Sequence, residues 1–398
     1  MSSPAPARPR PVHQAADLLA AYLPGSFYYS SARGSLLADG VYSPVHAAPG
    51  ERARAAAEVL DAALVAGVPE PVVAGAIGFR PDAPSSLVVP AVVRRAGPPR
   101  AGGPVAPLGG GTWSVSPRPA PEVYTTAVAK ALDEIRDGDL RKIVLARCLD
   151  VTGGDPVAVP RLLARLVHAD PAAHAFAVDV SAPGDPAPRT LIGASPELLV
   201  SRRGRIVLAN PLAGSRPRVA DDAENARRIS DLLASEKDRH EHAHVAAQVA
   251  EVLGRFCVDL DVPAEPEVIG TPTMWHLSTR ISGRLADAGD AGSSALGLAE
   301  ALHPTPAVCG VPTGLARDTI AALEPEDRGY YAGLVGWTDQ DGDGEWVVTI
   351  RCAEVRDRTV RLFAGAGVVA GSDPAAELAE TGAKFGTMLR ALGLEGVA

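Results

Sequence analysis

Several charged side chains in this sequence stand where their neighbours are apolar, and each would need a chemical reason to be there. Lys142 lies inside Leu140-Arg-Lys-Ile-Val-Leu-Ala-Arg147, a run of β-branched and aliphatic residues that reads as a strand. A lysine in such a strand normally sits at an edge or snorkels to water. One that is buried gives up its proton more readily, because desolvation disfavours the charged form, and becomes a candidate general base. Arg351 alternates with apolar neighbours, and a buried arginine requires an anion. Glu241 shares a helical stripe with Val245, Val249 and Val252, so it points inward and needs a partner. Glu197 follows Pro196 in a turn between apolar segments, the place of an ordinary loop carboxylate or of an acid.

Near the end of the chain, Glu377, Glu380 and Lys384 follow i, i+3, i+7 spacing and share one helix face. They come after the glycine-rich Ala364-Gly-Ala-Gly367. Two carboxylates and an amine beyond such a stretch can hold both a cation and an anion. The plain alternative is a solvated face with a Glu380–Lys384 pair. Taken together, separated acidic positions, a lysine, an arginine and glycine turns would all be satisfied by a magnesium-bound carboxylate substrate.

The elements that must position these groups read as follows. A strand from Arg361, a glycine-rich turn and a helix capped by Ser372 or Asp373, with Pro374 in its first turn, close the chain. Helices are expected over Glu51–Ala66 and Val123–Asp137, and a long helical region over Asp222–Phe256. The capping-box form of Ser235-Glu-Lys-Asp238 starts a second helix within that region. Strands are expected at 72–79, 87–93, 174–180, 189–192 and 206–208, and 346–355 forms a hairpin with 359–364. Residues 94–122 are a Pro/Gly-dense connector that either divides the chain or crosses it. Strands and helices mix without a regular βαβ rhythm, so the class is α+β with largely antiparallel sheets.

Composition excludes several roles. Net charge is −9 with no basic cluster, against a nucleic-acid or anionic-membrane partner. Aromatic residues make up only 4 % of the chain, so Ala, Val and Leu must fill the core. Cys148, Cys257, Cys309 and Cys352 lie far apart without zinc-site spacing, as free thiols of a reducing compartment do. Residues 1–12 are expected to be a disordered tail, with no signal-peptide core and no membrane span elsewhere, so the expected location is the cytoplasm. His240-Glu-His-Ala-His244 fits the H-E-x-x-H zinc-protease pattern, but neither a third ligand nor a secretory context accompanies it. Asp339-Gln-Asp-Gly-Asp-Gly344 begins like a calcium loop, but has Ile350 at the twelfth position and reads as a hairpin turn.

In this order, eight segments resemble the chorismate-utilising enzymes, the family of anthranilate, aminodeoxychorismate, salicylate and isochorismate synthases. They are Lys142–Arg147, Gly193–Leu199, Pro211–Arg216, Asp238–His242, Thr273–Leu277, His303–Pro306, Thr349–Arg351, and Ala364–Gly367 with Glu377, Glu380 and Lys384. The diagnostic part runs over about residues 120–392, within one domain of residues 13–398. The resemblance implies two packed antiparallel sheets flanked by helices, with the site in a cleft at their edge. It also implies Mg²⁺ held by Glu241 and Glu380 with Glu377 nearby, and substrate carboxylates held by Arg351, Lys384, His276 and the backbone around Gly214, Ser215 and Gly365.

Within that family Ala213 stands where an amine-relay lysine is found in aminodeoxychorismate synthases, and Lys142 fits the water-using branch. The segment Asp238–His242, with Ser215 after Gly214, is most similar to siderophore-pathway isochorismate synthases. The implied chemistry is reversible: Lys142 activates water for addition at ring C2, and Glu197 protonates the departing C4 hydroxyl. A salicylate synthase, which goes on to eliminate pyruvate, and a menaquinone-pathway isochorismate synthase are the alternatives. The expected partner is chorismate alone, bound by a monomer.

Overall fold

Runs of valine, alanine and leucine pair side by side in this protein, and every ladder between its described strands is antiparallel. The computed structural model describes residues 13–83, 85–103, 105–108 and 112–394; the tail expected over residues 1–12 lies outside them. One sheet has ten strands, in the order Gly310–Val311, Lys142–Thr152, Thr359–Val369, Cys352–Arg356, Thr190–Ser195, His174–Asp179, Phe27–Ser31, Gly34–Asp39 and Val92–Ala96, with Ser114–Arg118 as a branch on Lys142–Thr152. The second sheet has nine strands and runs from Cys257–Asp261 through Leu198–Arg203, Gly344–Val348 and Val72–Ile77 to Ser43–Pro44. A third, three-stranded sheet joins Leu212–Pro217, Met274–Ser278 and Glu267–Gly270, an addition to the two sheets expected.

The first 96 residues supply strands to both large sheets, and a core containing Phe27, Val73, Leu145, Phe176, Val200 and Trp346 joins them. A second core lies under the helices Ala15–Ala20, Val159–Ala169 and Pro374–Leu392. Over its described residues the 94–122 connector is an ordered crossover: Arg161 donates to the carbonyl of Pro107 and Arg165 to that of Val105. All four cysteines are buried and free, and no described helix is long and apolar enough to cross a membrane.

Local signals held where they concerned helix ends. Ser235 ends one helix, Asp222–Ala234, and caps the next, Glu236–Leu253, by accepting from the Asp238 N–H. Asp373 caps Pro374–Leu392 in the same way, and Gly393 closes that helix in the left-handed region.

Two strand readings need correction. The glycine stretch 364–367 is no turn; it lies inside the continuous strand Thr359–Val369, which pairs with Lys142–Thr152 along its whole length. Residues 346–355 are not one hairpin arm either. Gly344–Val348 belongs to the nine-stranded sheet and Cys352–Arg356 to the ten-stranded one, and the chain changes sheets at Thr349–Arg351, where Arg351 has φ 50°. Only Cys352–Arg356 pairs with Thr359–Val369.

Candidate active site

Two of the points where the chain crosses between the large sheets lie side by side. Thr190–Ser195 passes through Pro196 and Glu197 into Leu198–Arg203, while Gly344–Val348 passes through Arg351 into Cys352–Arg356. The Ala194 N–H donates to the Arg351 carbonyl at 3.2 Å, the Val348 N–H to the Glu197 carbonyl at 3.2 Å, and the Ser195 hydroxyl to the Val348 carbonyl at 2.7 Å. A crossing strand leaves its ladder, so its side chains point into the gap between sheets rather than into a neighbour. That is how Glu197 and Arg351 come to face one cavity.

Burial pushes the Glu197 carboxyl up to about 7, against the opposing pull of a Leu212 backbone hydrogen bond and of the Arg351, Lys142 and Lys384 charges. Such a carboxyl is protonated in a useful fraction at neutral pH and can donate. Arg351 donates to Nε2 of His276 at 3.1 Å. Burial, then the Arg351 and Lys384 charges, hold His276 well below its ordinary range, so it is neutral and accepts from the guanidinium.

A third crossing places the backbone side of the cavity. Ile206–Ala209 of the nine-stranded sheet continues into Leu212–Pro217 of the small one. The register slips between Ala213 and Ser215, with Gly214 at φ 73°. A residue with a Cβ is strained at that φ, and the bulge turns Ser215 inward to donate to Glu380 Oε1 at 3.2 Å.

The helix Pro374–Leu392 brings the acidic group. Lys384 lies 2.6 Å from Glu380 Oε1 and donates to the Gly365 carbonyl at 2.9 Å. Burial alone would raise Glu380, but Lys384 and the other partners outweigh it and hold it below its ordinary range. Glu377 is fully buried just outside the cavity wall, 3.0 Å from Lys237, and is raised by burial and then by the Glu380 charge.

Lys142 is completely buried, with Nζ 2.8 Å from Glu241 Oε1 in a charge contact rather than an aligned hydrogen bond. Glu241 stands between it and the cavity and supplies the partner that the helical stripe required. His240 and His244 face the other way, 3.1 Å from one another, and among the described residues no third ligand group joins them.

The cavity thus gathers Glu197, Gly214, Ser215, Glu241, His276, Arg351, Gly365, Glu380 and Lys384, with Lys142 and Glu377 each one side chain behind. A recess with a few convergent polar groups set among apolar walls has the form of a small-molecule site. A larger, more apolar cavity lies beyond Pro196 and Arg351, where Arg165 and Arg390 are spent on main-chain carbonyls. Residue types alone did not mark Val144, Val308, Tyr331 or Ile350 as wall residues, because uncharged side chains among apolar neighbours carry no chemical signal. Gly367 also lines the cavity, and a Cβ there would run into Oε1 of Glu241. Gly367→Ala is therefore expected to displace that carboxylate and lower turnover about 10²-fold with little change in melting temperature. Steady-state kinetics beside a thermal melt checks it.

The acidic groups suit a hard divalent cation. Glu241, Glu377 and Glu380 offer only oxygen donors, and each has a lysine against it. Among the described residues no three such groups are close enough to hold a metal unaided. Mg²⁺ suits that arrangement, since it takes one or two protein carboxylates and fills its shell with substrate and water oxygens.

The model of the family described as "Chorismate binding enzyme" matches residues 111–393. The isochorismate synthase DhbC of Bacillus subtilis is 49 % identical over 389 residues, covering 96 % of this chain and 97 % of its own. A crystal structure of a 2,3-dihydroxybenzoate-specific isochorismate synthase, described as putative, from Bacillus anthracis superposes with a TM-score of 0.92 at 45 % identity, covering 96 % of this chain and all of its own. Anthranilate synthase component I of Streptococcus pneumoniae shares the fold, with a TM-score of 0.71 at 22 % identity over 90 % of this chain and 92 % of its own. By the family model over residues 111–393 and the 49 % identity to DhbC, the chain belongs to the chorismate-binding enzymes.

Proposed function

We propose that the protein is an isochorismate synthase, converting chorismate reversibly into isochorismate with Mg²⁺, for an aryl-acid (2,3-dihydroxybenzoate) siderophore pathway. The observation that carries the reading is a carboxyl raised to about 7, Glu197, in the same cavity as Arg351 and the acidic group around Glu380. Arg351, Lys384 and the backbone near Gly214, Ser215 and Gly365 hold the substrate's carboxylates, and His276 steadies the Arg351 guanidinium by accepting from it. Lys142 takes a proton from water, relayed through the Glu241 carboxylate that stands between it and the cavity, as the oxygen bonds to ring C2. The ring double bonds shift, the C4–O bond breaks, and Glu197 gives its proton to the departing hydroxyl, which leaves as water. One water enters and one leaves, so the net change is an isomerisation, and exchanging the roles of acid and base runs it backwards. Glu241 and Glu380, with Glu377 behind them, would hold the Mg²⁺; the family uses a divalent metal, and when bound it neutralises the substrate's ring carboxylate.

Residues 13–398 work as one unit and as a monomer in this reading. Ala213 lines the cavity where a lysine would be needed to form an amine adduct, which supports water as the nucleophile. With chorismate and Mg²⁺ the expected product is therefore a mixture of chorismate and isochorismate, unchanged by added ammonia and free of pyruvate. Chromatography of the products with a lactate dehydrogenase-coupled assay decides this. Pyruvate released as fast as chorismate disappears would make the protein a salicylate synthase instead.

A further inference from the structure

The strand that carries Lys142 is incompletely covered on one edge. Along its other edge, Lys142–Thr152 pairs with Thr359–Val369 from end to end. On the open edge Gly310–Val311 covers only Lys142 and Ile143, and Ser114–Arg118 begins only at Cys148. Backbone groups in a strand alternate between edges, so Val144 and Ala146 face the gap, and buried backbone groups must be satisfied. The Val144 N–H reaches the Cys309 carbonyl at 2.8 Å. Two of the remaining groups are met by side chains: Arg328 Nη2 donates to the Val144 carbonyl at 2.6 Å, and the Ala146 N–H donates to Glu324 Oε1 at 2.7 Å.

Glu324 and Arg328 are themselves a two-point pair, with Nε to Oε2 at 2.8 Å and Nη2 to Oε1 at 2.6 Å. The third nitrogen, Nη1, donates to the Val308 carbonyl at 2.8 Å. The guanidinium lies over the Phe79 ring, 4.3 Å from its centroid, and 5.9 Å from that of Tyr331. Val144, Val308 and Tyr331 all line the catalytic cavity. Val144 and Lys142 are two apart on one strand and so point to the same face.

We propose that Glu324 and Arg328 are positioning residues, a side-chain substitute for the missing stretch of strand, which fixes Lys142 and the Val144–Val308 wall against the reacting ring. The pair touches no substrate, and its effect passes through the main chain. A lysine at 328 carries the charge but lacks the fork that spans two carbonyls and a carboxylate. The proposal rests on the chorismate reading of the site, and the experiment separates the two.

Because removing one partner of a buried pair strands the other charge, the main variant is the neutral double substitution Glu324→Gln/Arg328→Met, whose glutamine oxygen still accepts from Ala146. Arg328→Lys is measured beside it, and carries the test alone if the double variant does not fold. Expected is a kcat reduced at least about tenfold per folded molecule with KM for chorismate within about threefold, since binding survives and alignment does not. Arg328→Lys should fall between wild type and the double variant. A melting temperature that drops while kcat per folded molecule stays within twofold of wild type would make the pair merely structural and overturn the proposal. A kcat unchanged in Arg328→Lys when that variant alone folds would overturn it as well. If the wild-type protein itself fails to convert chorismate, the functional reading falls, whereas active wild type with unaffected variants removes only the positioning role.

Discussion

Lys142→Ala and Glu197→Gln are each expected to lower turnover by about 10²–10⁴-fold while chorismate still binds, the range typical of general acid–base groups. Both side chains are buried, yet they are set on opposite supports: Lys142 on a strand of the ten-stranded sheet behind Glu241, and Glu197 at a crossing into the nine-stranded one. For Glu197 the effect has a pH signature. With its carboxyl at about 7, the acid form prevails below that value, so the forward rate should fall as pH rises through it. Glutamine cannot donate that proton at any pH, and this limb should be missing from its profile.

Stability follows the same sign. The folded value lies above the ordinary 4.5, so the contribution of Glu197 is complete below about 4.5 and is lost as pH rises through about 7. Thermal melts at pH 5 and pH 8 should therefore show wild type losing more stability than Glu197→Gln. A Glu197→Gln enzyme with near-normal turnover would remove this residue from the mechanism.

Chelation of divalent metal is expected to abolish turnover, and added Mg²⁺ to restore it. Glu380 is held below its ordinary range and is charged at neutral pH, whereas Glu377 is raised by burial and by its neighbour's charge. Carboxylates crowded in this way favour a cation beside them. Glu380→Ala should be inactive and fold normally, and Glu241→Ala should be inactive with a lowered melting temperature, because it strands the buried Lys142 charge. Glu377→Ala should lose less, because Glu377 stands outside the cavity wall against Lys237. Activity assays after EDTA treatment and Mg²⁺ titration followed by melting temperature give independent readings, since a ligand that binds only the folded state raises its stability. Full turnover in metal-free buffer would sink the assignment of the acidic group.

The sequence by itself determined what rests on near neighbours in the chain. Ser235 and Asp373 were legible as helix caps because a cap is made within four residues. Glu241 was legible as inward because helical periodicity puts it in line with Val245 and Val249. The long motifs from Lys142 to Lys384 carried the resemblance, and with it the candidate site.

Tertiary structure decided the rest. The glycines at 365 and 367 suggested a turn by their local freedom, but an eleven-residue ladder with Lys142–Thr152 outweighs that preference, and Gly367 is needed for the room it leaves Glu241. Nothing local separates Gly344–Val348 from Cys352–Arg356; only two different sheets competing for one chain break it at Arg351 and aim that side chain into the cavity. Glu324 and Arg328, four apart, look on paper like an ordinary helix-end ion pair. Their burial against Val144, Ala146 and Val308 depends on where a neighbouring strand stops, and partners 20 to 184 residues away in the chain leave no local pattern to read.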